Sequence, residues 1–192
     1  MKPIIKGEVS SPEDFSKVVD NERKDVIQLK KLRRVSTKTF SFLFESRETL
    51  LNQINEMIFV ENVHDDDEIN RLLRVYNEQM PGNNEFSVTM FIEITDEKAL
   101  VRELPKLAGI EEHVVITYDS KECKAIPEEG RSTEVLESTV QYLKFKFSSE
   151  EAEAFRKAKN VFIGTEHKGY SESVKIPDAL LIHLKNELGI KL

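Results

Sequence analysis

Seven residues have the types and settings to do chemistry: Arg47, Glu56, Glu61, Glu93, Glu111, His167 and Tyr170. Carboxylates and imidazoles exchange protons or ligate metals, and a guanidinium grips an anion through two parallel donors. Three arrangements of the set follow. In the first it is an ion-pair network tying a central helix to a sheet, with Arg47 taking Glu93 or Glu111 as its bidentate partner. In the second it is a binding module, with Arg47 and the line Thr49, Gln53 and Glu56 facing a groove for an anion or a protein. In the third it is an enzyme or metal site, with Glu56, Glu61 or Glu93 and His167 as ligands or acid–base groups. Glu56 and Glu61 are five apart and leave one helix in different directions, so they do not form a Glu-x-x-His di-iron pair by themselves. Arg47 leads the site list, followed by Glu56, Glu93 and His167.

The stretch that must position these groups is Phe40 to Glu61. It starts as an alternating strand with Phe40, Phe42 and Phe44 on one face, then changes to a helical period. Arg47, Leu50, Ile54, Ile58 and Glu61 fall on one stripe, with charges at both ends about 21 Å apart, too far to pair with each other. Each needs a partner elsewhere or a place at the wet margin.

Around this centre, Ser11-Pro12-Glu13-Asp14 opens a helix, and 20–34 continues it with Val26, Ile27, Leu29 and Leu32 inward. Its polar side carries Arg23, Lys24, Lys30, Lys31, Arg33 and Arg34 interleaved with acids, a solvated face rather than a phosphate grip, with Arg33 and Arg34 left open because they fall where the helix gives way to the Phe40 strand. Asp65-Asp66-Asp67-Glu68 caps a helix to Met80; the calcium-loop pattern is absent, so dipole complementation explains the acids. Strands are expected over 86–94, 111–118, 122–126, 139–147, 161–164 and 173–176, with helices over 96–107, 149–158 and from Pro177 on. His113 falls in the second of these strands, Pro127 to Glu137 is a polar loop, and His167 lies in a turn beside Glu166 and Tyr170. Hairpin-joined strands interrupted by helices predict an α+β fold with a mostly antiparallel sheet packed by helices. The expected organisation is a helical N-terminal segment, 1–36, and a single α+β domain, 37–192.

Composition excludes several function classes. The chain has 192 residues, one third of them charged, no Trp and eleven Phe, so aliphatic and Phe side chains must build the core. A net charge of −7 argues against nucleic acid and anionic membrane. The single Cys123 rules out an internal disulfide, no apolar run approaches a membrane span, and the first residues lack a signal-peptide core. A cytoplasmic location is expected. There is no Gly-rich phosphate loop, CxxC, HExxH or Gly-x-Ser-x-Gly elbow. Of four histidines, His64, His113 and His183 read as surface or packing residues, and His167 is the candidate.

Phe44-Glu45-Ser46-Arg47-Glu48-Thr49, Gln53 to Met57 and Glu61 resemble the signature of prokaryotic domain-of-unknown-function family 3501. The likeness continues through Tyr76-Asn77, Pro81, Thr89 to Glu93, Gly109 to Glu111, Ser138 to Phe147, His167 and Tyr170. The family carries no assigned activity, cofactor or metal. Its members are similar in setting to companions of rubrerythrin-type and iron–sulfur oxidoreductase proteins. The resemblance therefore implies accessory work in a redox or oxidative-stress context, with redox proteins as partners.

Overall fold

The computed structural model describes residues 1–128 and 139–189. Most of the predicted loop from Pro127 to Glu137 lies outside them. The chain forms two compact units, each assembled from separate stretches: a helical unit of Met1–Arg33 and Glu45–Gly82, and a sheet unit of Arg34–Phe44 with the described residues from Asn83 onward. Together the elements make an α+β fold in which every strand pairing is antiparallel.

The helical unit contains α1 (Pro12–Arg33), α2 (Arg47–Val60) and α3 (Asp66–Glu78). Leu50, Ile54 and Ile58 recur at helical spacing on α2 and are fully buried with Leu72 and Leu73 of α3. Asp65 caps α3 by accepting from the amides of Asp67 and Glu68, which is the role expected of the acidic run. On α1 the expectation is corrected: Val26 and Leu29 are half-buried, and Ile27 and Leu32 are exposed. Phe15, set against Phe59, is the apolar residue of α1 that is fully covered, so α1 packs along a narrow line.

In the sheet unit, β1 (Arg34–Ser36), β2 (Phe40–Phe44), β3 (Glu85–Ile92), β7 (Val140–Lys146) and β6 (Ile126–Pro127) lie side by side in that order. The second sheet runs β5 (Lys121–Lys124), β4 (Val114–Tyr118), β8 (Val161–His167), β9 (Tyr170–Lys175). Helices α4 (Glu97–Glu103), α5 (Ser149–Lys157) and α6 (Asp178–Glu187) complete the unit. Phe40, Phe42 and Phe44 alternate onto the core face as their period requires, and Phe44, Phe86, Phe147, Phe155 and Tyr118 meet edge to face at 5.2–5.9 Å. β2 is buried on both faces, unlike the wet-and-dry alternation of β7.

Two local departures place site residues. The strand expected from Glu111 begins only at Val114; residues Ile110–His113 form a 3-10 turn behind Gly109, whose φ of 77° suits glycine. β8 and β9 are longer than expected and meet in a two-residue hairpin pairing His167 with Tyr170. The two strands approach closely at Gly164, where a Cβ would come 2.0 Å from the Glu172 carbonyl oxygen. No helix among the described residues is long and apolar enough to cross a membrane.

Candidate functional site

In the helical unit, Arg47 is the first residue of α2, set there by a reciprocal cap. Ser46 Oγ accepts from the Thr49 amide, and the Ser46 amide donates to Thr49 Oγ1. Arg47 does not take Glu93 or Glu111, which corrects the sequence expectation. Its Nη2 donates to Glu8 at 2.6 Å and its Nε to the Lys2 carbonyl at 3.2 Å. The reason is local: residues 1–10 run past the start of α2 and bring a carboxylate to the guanidinium. That guanidinium, followed by the Ile5 amide, holds the Glu8 carboxyl below its ordinary value.

The segment 1–10 is fastened along its length. Asn77 of α3 accepts from the Ile4 amide at 2.8 Å and donates to the Ile4 carbonyl at 2.9 Å. Asn55 of α2 accepts from the Ser10 amide at 3.0 Å. Ile4 itself is buried among Leu50, Ile54 and Leu73.

The other candidates on α2 go separate ways. Glu56 receives Nε and Nη2 of Arg23, both at 2.9 Å. Glu61 is the exposed C-cap, so the stripe is wet at its far end. Thr49 and Gln53 turn to Glu45, a carboxylate only 2% exposed; Thr49 Oγ1 donates to it at 2.5 Å and Gln53 Nε2 at 3.3 Å. Arg33, also buried, donates to the Glu45 carbonyl at 3.2 Å.

In the sheet unit, Glu93 follows β3 and accepts from Ser41 Oγ at 2.5 Å, with Arg34 at 3.8 Å. The Arg34 guanidinium lies 4.5 Å from the centre of the Phe91 ring. Glu111 lies in the 3-10 turn, where its Oε2 is buried without a hydrogen-bond donor among the described residues. His113 ends that turn, exposed, and its ring meets that of His167 edge-on at 5.3 Å. The Gly169 amide donates to His167 Nδ1 at 3.3 Å, which assigns the ring proton to Nε2. Burial, then the charge of His113, lowers the His167 pKa, so the ring is neutral at pH 7.

Tyr170, on the other side of the hairpin, donates to Glu103 of α4 at 2.6 Å. Arg102 and Lys106 also reach Glu103, at 2.9 and 3.0 Å. Hydrogen bonds from Tyr170, Arg102 and Lys106 pull the Glu103 carboxyl down to about 2; burial and then that same carboxylate push Tyr170 up to about 12. A neighbouring acid, Glu172, joins the β1–β2 turn to β9 by accepting from the amide and hydroxyl of Thr39. Burial alone would raise its pKa, but the Thr39, Thr37 and Lys38 hydrogen bonds outweigh it and hold the carboxyl low.

The structure therefore brings His167 and Tyr170 together at one hairpin and leaves Arg47, Glu56 and Glu61 on separate contacts of the helical unit. Among the described residues, no group of three or more His, Cys, Asp or Glu side chains is placed to hold a metal ion. Cys123 is buried, its thiol pushed up to about 12 by burial and then by Glu151, a setting that favours the protonated thiol. Sequence reasoning passed over Glu8 and Glu103, carried Glu45 and Asn77 only as part of the family likeness, and set His113 aside as a surface or packing residue. The flanking position of Glu45 between strand and cap was a usable signal. Nothing local marked Glu8 or Glu103, whose partners come from distant stretches.

Fold and contacts define an α+β protein in which Arg47, Glu56 and Glu93 are held by other segments of its own chain. It belongs to the family described as "Protein of unknown function (DUF3501)", whose model matches residues 3–188. No curated protein matches the chain. A crystal structure described as a novel protein of unknown function from Burkholderia pseudomallei K96243 is similar, with 28% identity and a TM-score of 0.90. That likeness covers 97% of this chain and 100% of the other.

Proposed function

We propose that this protein is a cytoplasmic accessory protein of a prokaryotic host that acts by binding a protein partner. The redox or oxidative-stress setting, and rubrerythrin-type or iron–sulfur oxidoreductase partners, come from the family resemblance alone. One observation carries the binding half: Arg47, the leading candidate, grips the Lys2 carbonyl and the Glu8 carboxylate of a segment distant in sequence, one main-chain and one side-chain group, as a receptor does with a peptide. Glu56 is occupied by Arg23 and Glu93 by Ser41 and Arg34, an arrangement suited to holding structure rather than moving protons. A net charge of −7 favours a protein partner over nucleic acid or anionic membrane.

A second reading, an enzyme with a carboxylate/His acid–base or metal site, draws on the neutral His167 against His113 beside the Tyr170–Glu103 pair. The deciding experiment is affinity capture from the native host together with metal analysis of natively purified protein. Stoichiometric recovery of a rubrerythrin-type or iron–sulfur protein supports the first reading. One transition-metal ion per chain, lost in His167→Gln, with no captured partner, overturns it in favour of the second.

A further inference from the structure

We propose that β9 is a pairing edge at which a second copy of this chain adds its own β9, antiparallel, about a two-fold axis at Ser173. β9 closes the four-stranded sheet on one side, with β8 as its neighbour. The ladder sets Ile163 opposite Val174 and Thr165 opposite Glu172, and the Ile176 amide donates to the Val161 carbonyl. Bonded and unbonded pairs alternate in such a ladder. Tyr170, Glu172 and Val174 therefore turn their main-chain groups to β8, while Ser171, Ser173 and Lys175 turn theirs away. Those three residues are exposed, and their outward groups meet no partner among the described residues. Thr39 touches β9 through the Glu172 carboxylate, not through its main chain. The other sheet edges are blunted. β1 has three residues, β6 has two with Pro127 as one of them, and β5 carries Lys121, Glu122 and Lys124. β9 has six residues, no proline, and serine at two of its outward positions.

A bare edge pairs with any extended segment, and here the side chains choose the second copy. Pairing about Ser173 sets Lys175 against Ser171 of the second copy, whose neighbour on β8 is Glu166. Lys175 and Glu166 are both exposed, and neither is ion-paired among the described residues. A cleft of about 360 Å³ over this face is lined by Gly164, Ser171, Ser173 and Glu166, small residues with one carboxylate, which leaves room for an incoming ammonium. Two strand spacings, about 10 Å, separate the two Cα atoms, a gap that a lysine and a glutamate span over the serine between them. Symmetry repeats the pair on the other side of the axis. An axis at Glu172 would instead set two carboxylates face to face, and one at Val174 would set Lys175 against Ser173, away from Glu166.

The test is analytical ultracentrifugation of the full chain over a concentration series. Wild type should approach twice its 22.2 kDa monomer mass as concentration rises. Ser173→Pro removes an outward amide, which an edge strand tolerates, and should weaken the dimer at least tenfold while circular dichroism shows the fold retained. Lys175→Glu keeps the main chain but sets a carboxylate against Glu166 of the second copy. It should also weaken the dimer at low salt, and adding Glu166→Lys should restore it. Should Ser173→Pro unfold, the charge exchange and the ¹⁵N-labelled wild type decide: the Ser171 and Ser173 amides should exchange more slowly as concentration rises. A wild type that stays monomeric at its highest soluble concentration overturns the proposal. So does a dimer unchanged in folded Ser173→Pro, a double variant that is not restored, or exchange independent of concentration. Protection of those amides only by a protein captured from the host overturns it in favour of a foreign strand.

Discussion

The helical unit and the sheet unit use charge in opposite ways. In the helical unit the candidate groups reach outward along the chain: Arg47 holds a passing segment, and Glu56 ties α2 to α1 through Arg23. In the sheet unit one candidate, Tyr170, is locked into a cluster with Glu103, Arg102 and Lys106, whose shared hydrogen bonds move two pKa values far from their ordinary positions. The first pattern ties separate stretches of one unit together through single ion pairs. The second suits a fixed scaffold, because every group in it gains from its neighbours and loses if one leaves.

The scaffold side of the contrast is tested hardest by its aromatic cluster. Phe155 is fully buried against Phe86, Phe147 and Tyr118. Phe155→Ala is expected to cost about 3–5 kcal/mol in urea unfolding, with the cavity it leaves setting where in the range it falls. A loss under about 1 kcal/mol would mean that the cluster is loosely packed and that the sheet unit is no firmer than the helical one.

A smaller effect is expected at the start of α2. Thr49→Val keeps the shape but removes the hydroxyl that donates to buried Glu45 and accepts from the Ser46 amide. The expected cost is about 1–3 kcal/mol, because two buried groups each lose a hydrogen bond. Thermal melts of Thr49→Val beside Thr49→Ser separate the lost hydroxyl from the altered packing. Equal melting temperatures for wild type and Thr49→Val would remove the buried polar set as a reason for the rigidity of the Arg47 end.

The legible parts of this molecule were those governed by nearest neighbours in sequence. The strand-to-helix change after Phe44, the apolar spine Leu50, Ile54 and Ile58 and the acidic cap of α3 all follow from local period and capping. What escaped was pairing over distance. Glu8 meets Arg47 across 39 positions and Glu103 meets Tyr170 across 67, and no periodicity encodes which acid a cation will find. The 3-10 turn at Ile110–His113 was read as strand because Val114 to Tyr118 continues the same alternation; the positive φ of Gly109 starts the turn, and only coordinates give it. The exposed Ile27 and Leu32 of α1 show the converse: apolar type alone does not decide which face of a helix is covered, and α1 turns only a narrow line inward.

The Tyr170–Glu103 pair makes the scaffold side of the comparison sensitive to pH at both extremes. Glu103 has its folded pKa depressed from 4.5 to about 2, so its contribution is present above 4.5 and is lost as pH falls toward 2. Tyr170 has its folded pKa raised from 10 to about 12, so its contribution is present below 10 and is lost as pH rises toward 12. Tyr170→Phe should flatten both limbs of a stability–pH curve measured by urea unfolding and move the Glu103 carboxyl upward in a ¹³C NMR titration. Unchanged limbs would mean that the hydrogen bond is not formed in solution.

The smallest effect belongs to His167, and it separates the two readings of function. Burial and the neighbouring His113 lower its folded pKa below 6.5, so the folded chain binds fewer protons there than the unfolded chain does. The stability this confers is complete above pH 6.5 and declines as pH falls, because protonation must displace the Gly169 amide from Nδ1 and bring a charge toward His113. His167→Gln can still accept from that amide, and its stability should fall less steeply than that of wild type between pH 6.5 and 5. Parallel slopes would show that the ring titrates as it does in water. The hairpin would then be open to solvent at His167, with the imidazole available for the acid–base chemistry of the second reading rather than fixed within the scaffold.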